Sequence, residues 1–291
     1  MIPSEILKNV KNIHIRTRRV VSEIFSGQYH SVFKGCGIEF DEVRAYQPGD
    51  DVRLIDWNVT ARTGFPHIKK FVEEREQTLM LILDASGSGE FGSIQRNKRE
   101  YVAELGAVLA FSAIKNQDKV GLIIFTDQVE RYIPPKKGKK HVLRVIREIL
   151  YFQPCQKGTN IQAALRFLMS IIKRHAVCFL ISDFFASGYE KDLKIARRRH
   201  DMIAVSVTDP RECEIHPVGI IKLRDIESEN IVFVDTYDPE VLRHYRENSL
   251  SQTEKRNALF KMHKIDHIEI RTDHGYIRPL KKFFAMRERR K

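Results

Sequence analysis

Four runs of consecutive apolar residues, TLMLILD (78–84), KVGLIIFTD (119–127), AVCFLISD (176–183) and MIAVSVTD (202–209), punctuate the chain. Between them, apolar residues return every three or four positions: Tyr101, Leu105, Val108, Leu109, Phe111 and Ala113 within 96–115, then 140–152, 160–174 and about 190–200. The runs predict strands covered on both faces, and the spaced segments predict amphipathic helices. VERYI (129–133) is expected to pair back beside the second strand through a turn at Thr126–Gln128. The regularity breaks after 210. VGIIKLRDIESENIVFVD predicts a hairpin insertion over 218–236 turning at Ser228–Asn230, followed by a polar helix (239–263), a strand in DHIEIRTD and a closing helix in YIRPLKKFFAMRERR. The fold class is therefore α/β, a doubly wound, mostly parallel sheet flanked by helices. Residues 1–75 have another texture, with a helix expected near Pro3–Ile13 and short strands and turns around Pro48-Gly49. They are expected to form a small β-rich segment packed on a main domain over 76–291.

The chain of 291 residues can bury at least one full core. Its amino-terminal stretch is broken throughout by Lys and Arg, unlike a signal peptide, and its longest apolar runs fall far short of the roughly 18 residues of a membrane span. The four cysteines form no C-x-x-C pair, and Cys178 sits in an apolar run as a core residue. This usage argues against a zinc site or a disulfide framework and points to the cytoplasm. A formal charge of +12, with clusters KKGKK (136–140), RRRH (197–200) and RERRK (287–291), raises nucleic acid as a partner. The clusters lack interleaved aromatics and any helix-turn-helix pattern, so a solvated surface or an acidic protein partner accounts for them better.

The candidate chemistry lies where the apolar runs stop. Asp84 and Asp183 both fall just past strand ends, which in a parallel sheet share one edge. Thr159, in KGTN, precedes a helix that leads into the Asp183 strand, so it reaches the same edge and is a candidate cap. In extended chain Asp84 and Ser88 would stand about 13 Å apart. Gly87 and Gly89 permit a loop that curls Ser86 and Ser88 back beside the acid. Two carboxylates and three hydroxyls form an all-oxygen set suited to Mg²⁺ or Mn²⁺.

The pattern of DASGS at 84–88, Thr159 in a second loop and Asp183 in a third resembles the metal-ion-dependent adhesion site of von Willebrand factor A domains. GIEFDEVRAYQPGDDVRLIDWNVTAR (37–62) followed by KKFVEEREQ (69–77) resembles the signature of domain-of-unknown-function family 58. The resemblance implies direct metal contacts from Ser86 and Ser88, contacts largely through water from the acids, and a coordination position left for a ligand carboxylate. It also implies a MoxR-type AAA+ ATPase as partner, in chaperone-like maturation of a client presenting an Asp or Glu. Gly87, Gly89, Gly158, Asn160 and Phe184 flank the five positions and are expected to meet the partner.

Other readings are weaker. Asp41, Glu42, Asp50, Asp51 and Asp56 are interspersed with Arg44, Arg53, Arg62, Lys69, Lys70 and Arg75, which predicts ion pairs rather than a catalytic cluster, with Trp57 as a buried anchor. A phosphotransferase with Asp84 as nucleophile would want a second acid at position 86, which is Ser. There is no G-x-x-x-x-G-K-[ST] loop and no G-x-S-x-G elbow. Asp127 and Asp209 are expected to shape turns, and His175 and His200 to sit at helix ends in favour with the dipole. A non-enzymatic binding module is the expectation.

Overall fold

The computed structural model describes residues 37–74, 76–87, 98–224 and 231–290. Two compact units divide between Gln77 and Thr78. The helix expected near Pro3–Ile13, Ser88, Gly89 and the hairpin tip at Ser228–Asn230 lie outside the described residues.

In the first unit, β1 (Gly37–Ala45) pairs antiparallel with β2 (His67–Glu74), with a bulge between Phe40 and Glu42. The connection carries a 3₁₀ turn at Val52–Leu54 and a short helix, α1 (Trp57–Thr63). Asp56 caps α1 by accepting from Asn58 and Val59 N–H, and Gly64 ends it in the left-handed region at φ 75°. The expected ion pairs form: Arg44–Asp50 at 2.6 Å, Lys70–Glu42 at 2.8 Å, Arg53–Asp51 at 3.2 Å and Lys69–Asp56 at 3.5 Å. Trp57 does not anchor anything: it is 70% exposed. The sequence WNVTART has no apolar stripe, so its first residue has no face to join.

The second unit is built on six strands. β3 (Thr78–Asp84), α2 (Lys98–Lys115), β4 (Lys119–Phe125) and β5 (Val129–Lys136) come first, then α3 (Lys139–Tyr151), α4 (Ile161–Ile171), β6 (Val177–Ser182), α5 (Glu190–Arg199) and β7 (Asp201–Thr208). A one-turn helix α6 (Pro210–Cys213) leads to the separate hairpin β8 (Ile220–Arg224) and β9 (Ile231–Asp235). The chain closes with α7 (Pro239–Met262), β10 (Asp266–Arg271) and α8 (Ile277–Arg289). The sheet order is β10-β7-β6-β3-β4-β5, parallel throughout except for the edge strand β5. Every run predicted as a buried strand is one, because each has helices on both sides.

On one face, Met80, Ile82, Ile123, Phe125, Cys178 and Leu180 pack against Ile161, Leu165 and Leu168 of α4, Leu193 of α5 and Phe260 of α7. The opposite face is covered by α2, which is buried almost all round its length from Tyr101 to Ala113. Gly106 of α2 leaves room for Ile149 and Leu81, whose methyl carbons would lie 3.2 and 3.7 Å from a Cβ there. Each aliphatic side chain so buried contributes roughly 1.5–3 kcal/mol. Among the described residues no helix is long and apolar enough to cross a membrane.

Candidate functional site

In this strand order the direction of winding reverses between β3 and β6, and the crevice outside their carboxyl ends is where doubly wound sheets bind ligands. Leu83 lies level with Ile181 in that pair, which puts Asp84 beside Ser182 with Asp183 one residue beyond. The two acids meet here because of topology, 99 positions apart in sequence.

Asp84 is largely withdrawn from solvent, and both its oxygens are engaged. Oδ1 accepts Ser86 N–H at 3.0 Å, and Oδ2 accepts the Ser182 hydroxyl at 2.6 Å. Ser182 Oγ in turn accepts Phe184 N–H at 3.0 Å, so one serine ties the end of β3 to the loop after β6. The Ser86 hydroxyl also bonds the Asp84 carboxylate. Burial, and then the neighbouring Asp183 charge, push the Asp84 carboxyl up to about 6 against the pull of these hydrogen bonds.

The Asp183 carboxylate is buried; Oδ1 accepts Phe185 N–H at 3.3 Å, and Oδ2 lies 3.7 Å from Lys98 Nζ. Its backbone carbonyl accepts Arg256 Nη1–H at 3.4 Å. Lys98, the first residue of α2, is 3% exposed and also pairs with Glu212 of α6. Glu212 closes a capping box with Asp209: its Oε2 accepts Asp209 N–H at 3.0 Å while Asp209 caps α6. A cavity of about 30 Å³ lies among Asp84, Ser182, Asp183 and Lys98. A second, more enclosed one of about 40 Å³ with mostly apolar walls, including Ile124, Ile149 and Phe152, runs past Asp84 and Ser86.

The Thr159 loop is fixed to the same edge by its backbone. Gly87 N–H donates to Lys157 O at 3.0 Å, and Asn160 N–H to Thr126 O at 2.8 Å. Glu130 of β5 accepts Cys155 N–H at 2.8 Å and Gln156 N–H at 3.2 Å. The cap of α4 is Asn160, whose side chain accepts Ala163 N–H at 2.9 Å, so Thr159 is spared that duty. Gly158 is required by close approach: a Cβ there would lie 2.0 Å from Asp127 Oδ1. Asp127, expected only to shape a turn, thus rests against the candidate loop.

Phe184, expected at the partner-facing rim, turns inward. It holds φ 61°, a strained value for a bulky residue, and packs edge-on to Phe260 with centroids 5.1 Å apart. The aromatic that reaches solvent is Phe185, at 49% exposure. His200 also departs from expectation. It ends α5, but it is 1% exposed, neither ring nitrogen has a hydrogen-bond partner, and burial pushes its pKa down to about 4. A neutral ring gains nothing from the dipole. Ser182 and Lys98 were not singled out in the sequence; the "SD" pair at 182–183 carried the only local hint, and for Lys98 there was none.

The carboxylates of Asp84 and Asp183 and the hydroxyls of Ser86 and Thr159 are the donor chemistry that a hard divalent cation takes. Among the described residues no three His, Cys, Asp or Glu side chains form a group that could hold a metal ion. Asp84 is half-buried and faces a second acid, so added positive charge there is favourable.

Fold and site together define a doubly wound α/β domain with acids at its switch point, the arrangement expected from the resemblance to von Willebrand factor A domains. The chain belongs to the family described as protein of unknown function DUF58, whose model matches residues 42–255. It is similar to the uncharacterized protein Rv1480 of Mycobacterium tuberculosis, 26% identical over 96% of this chain and 89% of that protein. The uncharacterized protein YeaD of Bacillus subtilis is 29% identical over 37% of this chain and 25% of its own length. Among solved structures it is similar to an aerotolerance-related membrane protein from Bacteroides fragilis, at 16% identity and TM-score 0.48, covering 74% of this chain and all of that one. A second is the SpRpn10 VWA domain, at 12% identity and TM-score 0.39, covering 72% of this chain and 94% of that one.

Proposed function

We propose that this protein is a non-enzymatic, cytoplasmic protein-binding module that works through Mg²⁺, with Mn²⁺ as a substitute, at the β3–β6 switch point. The observation that carries the reading is the convergence of Asp84 and Asp183 at that edge, with Ser86 and Ser182 hydrogen-bonded around them and the Thr159 loop tied alongside. Asp84, Ser86, Ser88, Thr159 and Asp183 would hold the ion, which when bound would offer a coordination position to a partner's Asp or Glu. The protein's own contribution is order. Ser182 fixes the Asp84 carboxylate, Phe185 N–H and Lys98 fix that of Asp183, and Phe184 and Phe260 hold the third loop from beneath. Phe185 at the rim supplies apolar contact area to an incoming chain.

The partner follows from the family resemblance: a MoxR-type AAA+ ATPase, with the protein acting as its adaptor toward a client. The absence of a nucleotide-binding P-loop in this sequence fits a division of labour in which the partner hydrolyses ATP. The test compares tagged wild type with Asp84→Ala in native lysate, each with Mg²⁺ and with chelator. A AAA+ ATPase or client retained only by wild type with Mg²⁺ supports the reading. Four identical eluates from folded proteins refute it.

A further inference from the structure

We propose that Lys98 is a positioning and charge-setting residue of the cation site: its buried ammonium orients the Asp183 carboxylate and serves as the site's resident counter-charge. The inference rests on the reading of Asp84 and Asp183 as cation ligands. Its ground is geometric. Lys98 is 3% exposed, its Nζ stands 3.7 Å from Asp183 Oδ2, and its other partner is Glu212, which is itself held by Asp209 N–H at 3.0 Å. A lysine is almost never buried this deeply without a reason, since removing an ammonium from water is costly unless it is paired. Here the pairing reaches across the fold, from the start of α2 to α6, and the small cavity between Lys98, Ser182 and the two aspartates joins them into one cluster.

The charges of this cluster set its appetite for cations. Asp84, Asp183 and Glu212 contribute three negative charges, and Lys98 and the buried Arg256, whose guanidinium meets the Asp183 carbonyl, contribute two positive ones, leaving a formal −1. Without the ammonium the sum is −2. Lys98 therefore makes the cation-free site tolerable and, by the same repulsion, keeps the site from holding its ion too tightly. With the ammonium a loaded site would keep a net positive charge toward a ligand carboxylate, and without it the sum would be zero, so Lys98 also preserves attraction for the partner.

The experiment is calorimetric titration of Mn²⁺, and then Mg²⁺, into the chelator-stripped full chain as wild type, Lys98→Met, Lys98→Arg and Glu212→Gln. The expected results are affinity about tenfold tighter in Lys98→Met, near wild type in Lys98→Arg, and several-fold weaker in Glu212→Gln, where the cluster loses one negative charge. A merely structural ion pair would lower stability in Lys98→Met and leave the Mn²⁺ affinity where it was; that result, or weaker binding, overturns the inference. Should Lys98→Met fail to fold, unchanged affinity in Glu212→Gln overturns it equally. If wild type itself binds neither ion, the cation-site reading falls and the inference with it, an outcome distinct from the others.

Discussion

Asp84→Asn is expected to stabilise the ion-free protein while abolishing its response to Mg²⁺. Burial and the Asp183 charge raise the Asp84 carboxyl from 3.8 to about 6. A folded-state pKa above the unfolded one contributes stability that is full below pH 3.8 and lost as pH rises through about 6. Above that, the ionised group costs the fold about 3 kcal/mol, at 1.36 kcal/mol per unit. The carboxamide matches the carboxylate in shape and can keep both bonds. Its oxygen accepts Ser86 N–H, and its NH₂ donates to Ser182 Oγ, which still accepts Phe184 N–H. Thermal denaturation in chelator at pH 7.5 should therefore place the variant's midpoint ~6–12 °C above wild type. The gap should close toward pH 4, where the wild-type acid takes up its proton. Added Mg²⁺ should raise the wild-type midpoint alone. A variant no more stable than wild type at pH 7.5, or a gap indifferent to pH, would refute the reasoning.

Two further perturbations bear on the framework. His200 and His267 are both pushed down to about 4 by burial, so the fold holds them neutral and loses stability as pH falls from 6.5 toward 4. His200→Leu should flatten that acid limb, recovering up to about 3 kcal/mol near pH 4 in urea titrations; an unchanged limb would mean that the ring is not a buried neutral group. Gly158→Ala places a methyl against Asp127 Oδ1 and should cost about 1–3 kcal/mol with loss of Mg²⁺-dependent capture. Adding Asp127→Ser should restore both, and a double variant as impaired as the single one would show that the contact is not the cause.

What could be read in the sequence, and what could not, divides by the range of the interactions involved. β3, β4, β6 and β7 were legible because runs of four to six consecutive apolar residues have no alternative to burial on both faces. Asp84 and Asp183 were legible because each ends such a run. The partners of these acids were not. Ser182 meets Asp84 from 98 residues away, and Lys98 meets Glu212 from 114, distances over which only the completed strand order decides proximity. Phe184 and Phe185 are identical letters side by side; the positive φ at 184 selects which one turns inward. His200 stands at a helix end in the sequence, but β7 begins at the very next residue, so the ring is carried into the interior. Trp57 misled because lone tryptophans usually bury, whereas its seven-residue helix has no buried face to offer.

The acids at the switch point are not a by-product of composition. The chain carries a formal charge of +12, yet Asp183 and Glu212 share the buried ammonium of Lys98, and Asp84 faces Asp183. Nothing in packing requires a carboxylate at 84. The β3 residues before it, Leu79 to Leu83, are buried and aliphatic, and an amide there would satisfy Ser86 and Ser182 equally well. A sequence shaped by stability alone would avoid a half-buried acid whose pKa is raised by desolvation and by a second acid facing it. Local rules broken without any gain in packing mark sites kept for function. The compensations point the same way. Lys98 and Arg256 approach the Asp183 loop from inside the fold, and backbone bonds from Gly87 and Asn160 tie the Thr159 loop beside it. These supports hold the acids in place without fully neutralising them, which is what the proposed divalent-ion site would require of them.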